Sequence, residues 1–318
     1  MERFFEYELK EADLQITIDG IVGQVIKNCL KLKAHEWSHA KYTKGGVTVI
    51  GIDGNVRSVY ANEKMTVGER VRVRLTDPPQ ALEEHRVEAV EGELQILYED
   101  EDLLIVNKPA GIVVHPCFGH YYDTLSNIVA YYYENKGLDV ICRSIGRLDR
   151  ETSGALLFAK NKASAGRLFN QREIGTSGRT YHAIVQGWVE KDFDTINKPI
   201  EPIPGVKLLR RTCEEPNGQS AVTHYKVLTR AMIDDEKVSF IEANIDTGRT
   251  HQIRVHMQSI GHPLLGDLLY GDPEKNHGFE RALLHAVRLK CKQPFTEKEI
   301  EIYAAYPEDF EAAIKLFN

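Results

Sequence analysis

From Leu94 onward the chain is a succession of short apolar runs separated by few helical stretches, and this pattern narrows the possible folds most. The runs are Ile96-Leu97-Tyr98, Leu103-Leu104-Ile105-Val106, Ile112-Val113-Val114, Ala155-Leu156-Leu157-Phe158-Ala159, Tyr181 to Val185 and Phe240 to Ile245. Helical spacing interrupts them at about 124–135, 162–172 and 250–260. No regular alternation of strand and helix is visible. Strands grouped unevenly with few helices predict an α+β domain built on a mixed, largely antiparallel sheet.

The region before Leu94 reads differently. Val22 to Leu32 carries apolar residues at helical spacing, and a second helical stretch, Trp37 to Tyr42, runs to Gly45-Gly46, where glycine is expected past a helix end. Val47-Thr48-Val49-Ile50 reads as a strand, Asp53-Gly54-Asn55 as a tight turn and Val71 to Leu75 as an alternating strand. Residues 76–93 are polar and acidic with two prolines, the composition of a linker. A length of 318 residues suits two domains, or one large domain with an appendage, and the division is placed at 1–85 and 86–318.

Composition excludes some classes. A formal charge of −7 argues against a protein that holds nucleic acid by bulk electrostatics, so an RNA partner must be recognised by particular residues. No apolar run approaches the ~18 residues of a membrane span, and the N-terminal stretch lacks the basic start and apolar core of a signal peptide. A cytoplasmic protein is expected. Five cysteines, none in a C-x-x-C pair, read as reduced thiols rather than a disulfide framework. Five histidines (His115, His251, His256, His262 and His285) lack the helical H-x-x-x-H spacing and neighbouring acid of a zinc site, so no metal is expected.

The segment most charged with chemistry is Ile145-Gly146-Arg147-Leu148-Asp149-Arg150-Glu151-Thr152-Ser153-Gly154. It precedes the apolar strand at 155–159 and should form a loop at a strand end. An aspartate flanked by two arginines should be held ionised, and such a carboxylate can act as nucleophile or base toward a sugar or base carbon. A turn aspartate in a surface ion-pair cluster is the alternative that the residues alone leave open.

The order Arg-Leu-Asp-x-x-Thr-Ser-Gly resembles the catalytic motif of pseudouridine synthases, in particular the RluA type that modifies ribosomal and transfer RNA. Two further stretches share the resemblance. Upstream are Tyr98 to Asp102, Asn107-Lys108-Pro109-Ala110-Gly111 and Val113-Val114-His115-Pro116; downstream are Asp246 to His256, Gly261-His262-Pro263 and Gly266-Asp267. Leu283-Leu284-His285-Ala286 and Tyr306-Pro307-Glu308-Asp309 also fit, so the resemblance spans about 94–310. It departs at Gly146, where the family usually has His, and at Arg179, where it usually has Lys. The Gly-Arg-Leu-Asp form resembles that of a sister synthase family. The first 85 residues, two helices followed by a β-ribbon, resemble a degenerate S4 RNA-binding module.

The resemblance implies a pseudouridine synthase fold and an isomerase that needs no cofactor. By resemblance Asp149 is the catalytic carboxylate, Tyr181 stacks on the flipped uracil and Arg254 pairs with Asp149. Arg147 enters the RNA helix where the uridine leaves it, and Leu148, Thr152, Arg179, Arg249, His251 and Gln252 line the substrate. Thr250 is expected to cap the helix that carries Arg254, Lys108-Pro109 to form a structural turn, and Gly248 and Gly266 to serve backbone conformation. The implied partner is structured RNA, large-subunit ribosomal RNA before transfer RNA, acted on by a monomer. An RNA-binding protein that has lost the activity and a hydrolase using paired carboxylates are the rival classes. Tritium release from 5-tritiated uridine RNA separates the first from the synthase, and free uracil would mark the second.

Overall fold

A computed structural model describes residues 3–75, 77, 79–206, 208–214, 217–233 and 235–317. Thr76 and Pro78, in the expected linker, lie outside them. The chain is α+β, with one large mixed sheet and one small antiparallel sheet.

The large sheet has ten strands. Its main path runs Phe193–Asn197, Val222–Ile233, Glu236–Ile245, Gly178–Gln186, Leu284–Lys292, Ser153–Ala159, Leu103–Lys108 and Ile96–Glu99. Glu299–Tyr303 and Arg143–Ser144 pair alongside. Among the described residues every pairing is antiparallel except one, in which His285 and Ala286 run parallel to Ser153 and Gly154. Two antiparallel halves therefore join at a parallel seam. Gly154 makes it possible: its φ is +114°, and a Cβ there would sit 2.6 Å from the Ala286 amide nitrogen. The Asp149 loop ends at this seam.

The uninterrupted apolar runs have a direct cause. Leu104, Val106, Leu156 and Phe158 face one core with the helix Leu125–Asn135, whereas Leu103, Ile105, Ala155, Leu157 and Ala159 face a second with the helix Lys162–Glu173. A sheet covered on both faces has no solvent side and shows no alternation. The run Ile112-Val113-Val114 is not a strand. It is an irregular segment whose Val113 and Val114 carbonyls accept the Leu125 and Ser126 amides at the start of the first of these helices, donors that have no partner within the helix.

The helix carrying Arg254 is Gln252–Ser259 and does not begin on a Thr250 cap. His251 occupies the cap position with φ 57°, and its side chain makes no capping bond. Ile253 and Met257 pack into the core as their spacing predicts, with Ile260 at its edge.

In the N-terminal region Arg3–Glu8, Arg70–Leu75, Val47–Ile50 and Val56–Ser58 form the four-stranded antiparallel sheet in that order. The first strand is not foreseen by the sequence reading. The helices Val22–Asn28 and Ser38–Tyr42 fall where the spacing places them, and a short helix, Pro79–Glu84, lies in the expected linker. These elements share an apolar core, into which Ala163 and Phe295 from later in the chain also pack.

Candidate active site

The segment Ile145–Thr152 is fixed through its backbone carbonyls, mostly by groups from distant parts of the chain. Arg179 Nη2 donates to the Ile145 carbonyl at 2.7 Å and Ser144 Oγ to that of Gly146 at 2.7 Å. The Arg150 carbonyl accepts from Lys108 Nζ at 3.1 Å and from the Gly111 amide at 2.9 Å. Arg281 Nη1 holds the Glu151 carbonyl at 2.9 Å. Arg281 is itself gripped by Asp309 through two bonds of 2.5 and 2.8 Å. The loop is thus shaped before any substrate arrives, as a reacting group requires.

Lys108 is fully buried and donates also to the Pro109 and Ile112 carbonyls, at 2.8 and 2.7 Å. Burial pushes its amine down to about 7, against the upward pull of the Asp149 and Glu151 charges. No phosphate can reach it, and the structural reading of Lys108 is the one that its contacts support.

Asp149 is half-buried at the mouth of a cavity of about 130 Å³. Arg147, Leu148, Thr152, Arg179, Tyr181, Arg249 and Gln252 share its wall, which brings together seven of the expected residues. Leu148, Thr152 and Tyr181 are buried parts of that wall, while Arg147 and Arg249 are exposed. The flanking arginines do not hold the Asp149 carboxylate. Arg150 bonds the Gly111 carbonyl at 3.1 Å and lies 3.4 Å from Glu151, and Arg147 projects outward.

Three expectations are corrected by these contacts. Arg254 does not pair with Asp149: its Nε and Nη2 donate to Asp267 at 2.7 and 2.6 Å, with both side chains buried. Asp267 is fully buried and needs the nearest guanidinium fork more than the half-buried Asp149 does. Burial opposes the Arg254 charge, but the bonds to Asp267, with the Asp149 charge further off, hold its pKa above the usual value. Gln252 is not free for a substrate. Its Oε1 accepts from Thr247 Oγ1 and the Arg249 amide, and its Nε2 donates to the Val222 carbonyl and Thr223 Oγ1, so every donor and acceptor is used. His251 lies behind the cavity, 2.9 Å from the Tyr270 hydroxyl.

Three of the other histidines singled out by the sequence are built into the fold. His115 bridges Ser126 and Ser144, His256 bridges Thr223 and the Lys198 carbonyl, and His285 meets Ser153 across the seam and the Ala304 carbonyl. Burial pushes His285 down to about 4. No group of three His, Cys, Asp or Glu side chains suited to a metal occurs among the described residues.

Comparison with known proteins decides the family. The family profile described as RNA pseudouridylate synthase matches residues 102–259. The chain is 42% identical over 255 residues to an uncharacterized RNA pseudouridine synthase, YhcT, of Bacillus subtilis, covering 80% of this chain and 81% of that one. The chain belongs to the RNA pseudouridine synthase family. The synthase is also 37% identical over 234 residues to ribosomal large subunit pseudouridine synthase D of Zymomonas mobilis, covering 70% and 72% of the two chains. The solved structure of human RNA pseudouridylate synthase domain containing 1 matches it with a TM-score of 0.57 and 28% identity, over 69% of this chain and 87% of that one. No helix among the described residues of the synthase is long and apolar enough to cross a membrane.

Sequence reasoning missed four residues that shape this site: Asp267, Arg281, Asp309 and Arg172. Asp267 and Asp309 lie in stretches that fit the family pattern, but nothing in their spacing says which arginine each will meet. Arg172, at the end of its helix, lies outside the motifs altogether.

Proposed function

We propose that the synthase isomerises uridines of large-subunit ribosomal RNA, with Asp149 as its catalytic carboxylate. The observation that carries this reading is the single half-buried carboxylate at a base-sized cavity, with its backbone fixed from several sides. The ribosomal target is supported by the likeness to large-subunit synthases of Zymomonas mobilis and Haemophilus influenzae, the latter 34% identical over 268 residues. The protein is proposed to act as a cytoplasmic monomer.

In this reading the stacked uridine is flipped out at a cost of a few kcal/mol. The exposed Arg147 fills the gap, and Tyr181 lies against the extruded ring. Asp149 assists cleavage of the N-glycosidic bond, by attack on C1′ or by removing a sugar proton; both routes need the carboxylate beside the ribose. The detached uracil turns in the closed site and rejoins through C5. No group is lost and nothing is oxidised, so the balance closes without a cofactor. Residues 1–85 are proposed as an S4-like unit that sets RNA choice, separate from the catalytic region 86–318.

Replacement of Asp149 by Asn keeps the shape and removes the charge. Tritium release from 5-tritiated large-subunit transcripts should become undetectable while RNA affinity is largely kept. Turnover within tenfold of the parent overturns the role of Asp149, and free uracil as a product overturns the isomerase mechanism.

A further inference from the structure

We propose that Arg172 and Arg179 form a phosphodiester-binding subsite beside the base cavity, and that Gly248 is glycine to admit the Arg172 head. The proposal rests on the synthase acting on RNA and extends it to a residue outside the family motifs.

Arg172 lies in the last turn of the helix Lys162–Glu173. A basic residue there ordinarily serves the helix's own carbonyl end. Here the guanidinium leaves the helix and enters the wall common to two adjoining cavities, the base cavity and a groove of about 550 Å³. It lies against two glycines. A methyl group at Gly146 would come within 2.8 Å of Arg172 Nη1, and one at Gly248 would overlap Arg172 Nη2 outright. Gly248 does not need its backbone freedom, because its φ is outside the left-handed region and only the Arg172 head opposes a side chain there. The expectation that Gly248 serves backbone conformation is therefore corrected; Gly266, with φ +78° and the Arg281 carbonyl against it, keeps that role.

The cluster is positive and unpaired. Arg172 makes no ion pair with a carboxylate of the described residues; the charges acting on it are those of Arg179 and Arg249, together with Tyr181. Two acids also line the groove: Asp246 is engaged by His224 at 3.0 Å, and Glu173, exposed at the helix end, makes no ion pair with Arg172. Arg179 spends Nη2 on the Ile145 carbonyl, and its buried Nε has no hydrogen-bond partner. Arg172 is exposed as a residue, but desolvation of its head against the wall, and then the like charges of Arg179 and Arg249, press its pKa below the ordinary value. A cluster of like charges with spare donors stabilises little in the free protein but suits an anion. A flipped nucleotide carries a phosphate on either side of its ribose, and the planar guanidinium fork matches phosphate oxygens. The groove that meets the base cavity at Arg172, Arg179 and Tyr181 is where the strand leaving the flipped base would run.

The test compares Arg172→Gln, Gly248→Ala and the double variant with the parent. Filter binding to unmodified large-subunit ribosomal transcript is measured across a salt series, with tritium release and melting temperature alongside. Arg172→Gln should weaken binding several-fold, flatten the log–log salt slope by ~0.7–0.9 as for one lost phosphate contact, and raise KM by more than it lowers kcat. Its melting temperature should hold or rise, because the lost charge faces other cations. Gly248→Ala should reproduce the binding defect by displacing the Arg172 head, and should add nothing in the Arg172→Gln background. An unchanged salt slope in Arg172→Gln, or a lowered melting temperature with binding intact, overturns the subsite. Additive losses in the double variant overturn the role given to Gly248. A parent that binds this transcript but does not isomerise it defeats the ribosomal reading instead, while the binding slopes still decide the subsite.

Discussion

Arg254 shows how one side chain's partner changes what its loss should do. Its fork is fully committed to Asp267, whose Oδ1 also accepts the Leu269 and Tyr270 amides at 3.0 and 3.2 Å. Truncation would leave a buried carboxylate without its cation. Arg254→Ala should therefore cost ~3–5 kcal/mol of stability, read as a lower denaturant midpoint, with activity falling because the helix behind the cavity loosens. Asp267→Asn in the Arg254→Ala background should recover part of the stability, since it removes the orphaned charge. If Arg254→Ala keeps the parent's midpoint but loses all turnover, Arg254 serves the chemistry directly and the bracing account is wrong. By resemblance the sequence paired Arg254 with Asp149; that Asp267 takes it instead depends on a burial difference between the two carboxylates that only the folded chain creates.

At the scale of elements, the parallel seam fixes where the Asp149 loop ends. Gly154 ends the catalytic motif and brings two backbones together, so the Thr-Ser-Gly order has a packing reason apart from catalysis. Gly154→Ala would place a methyl against the Ala286 main chain, which cannot turn aside as a side chain can. Overpacking of this kind typically costs ~1–3 kcal/mol, and a φ of +114° adds strain for any residue with a Cβ. The expected outcome is a lower melting temperature with turnover reduced further than the stability loss explains, because the Asp149 loop shifts with the seam. Equal activity per folded molecule would show that the seam does not position the loop. The elements that were legible, such as Leu103–Lys108, Ser153–Ala159 and the helix Leu125–Asn135, were so because apolar runs and helical spacing are local signals; the long strands Val222–Ile233 and Leu284–Lys292, with mixed polar and apolar residues, were not read. The strand Arg3–Glu8 was not, because its charged and aromatic residues become strand-like only once Arg70–Leu75 pairs with them.

At the scale of the molecule, specific contacts join the N-terminal elements to the rest of the chain. Arg3 donates from Nε and Nη2 to the buried Asp102 at 3.3 Å each. Glu36 accepts from Arg167 at 2.6 and 2.8 Å, and Arg167 lies 4.5 Å over the ring of Phe295, itself 4.4 Å from Phe5. A chain starting at 86 should still fold, because Asp102 keeps Asn161, Ser164 and Gln293 as donors. It should melt lower than the full chain and associate through the uncovered Ala163 and Phe295 surface. If the unit also chooses the RNA, pseudouridine mapping with the truncated protein should show altered sites or weaker binding. An unchanged melting temperature would contradict the interface, and an unchanged site pattern and affinity would remove the RNA role from residues 1–85.

The sequence by itself determined the fold class and the family motifs and singled out Asp149 as the candidate carboxylate, because these rest on short-range order: runs of apolar residues, turn residues, and Arg-Leu-Asp followed by Thr-Ser-Gly. Tertiary structure alone decided the pairings. Lys108, Arg179 and Arg281 reach the loop's carbonyls from 42, 34 and 130 residues away, Arg254 takes Asp267 in preference to Asp149, and Gly248 opens space for an arginine 76 positions earlier in the chain. Charge and spacing say that a buried ion or carbonyl must find a partner; which partner it finds depends on distances that exist only after the sheet's two halves have closed on each other.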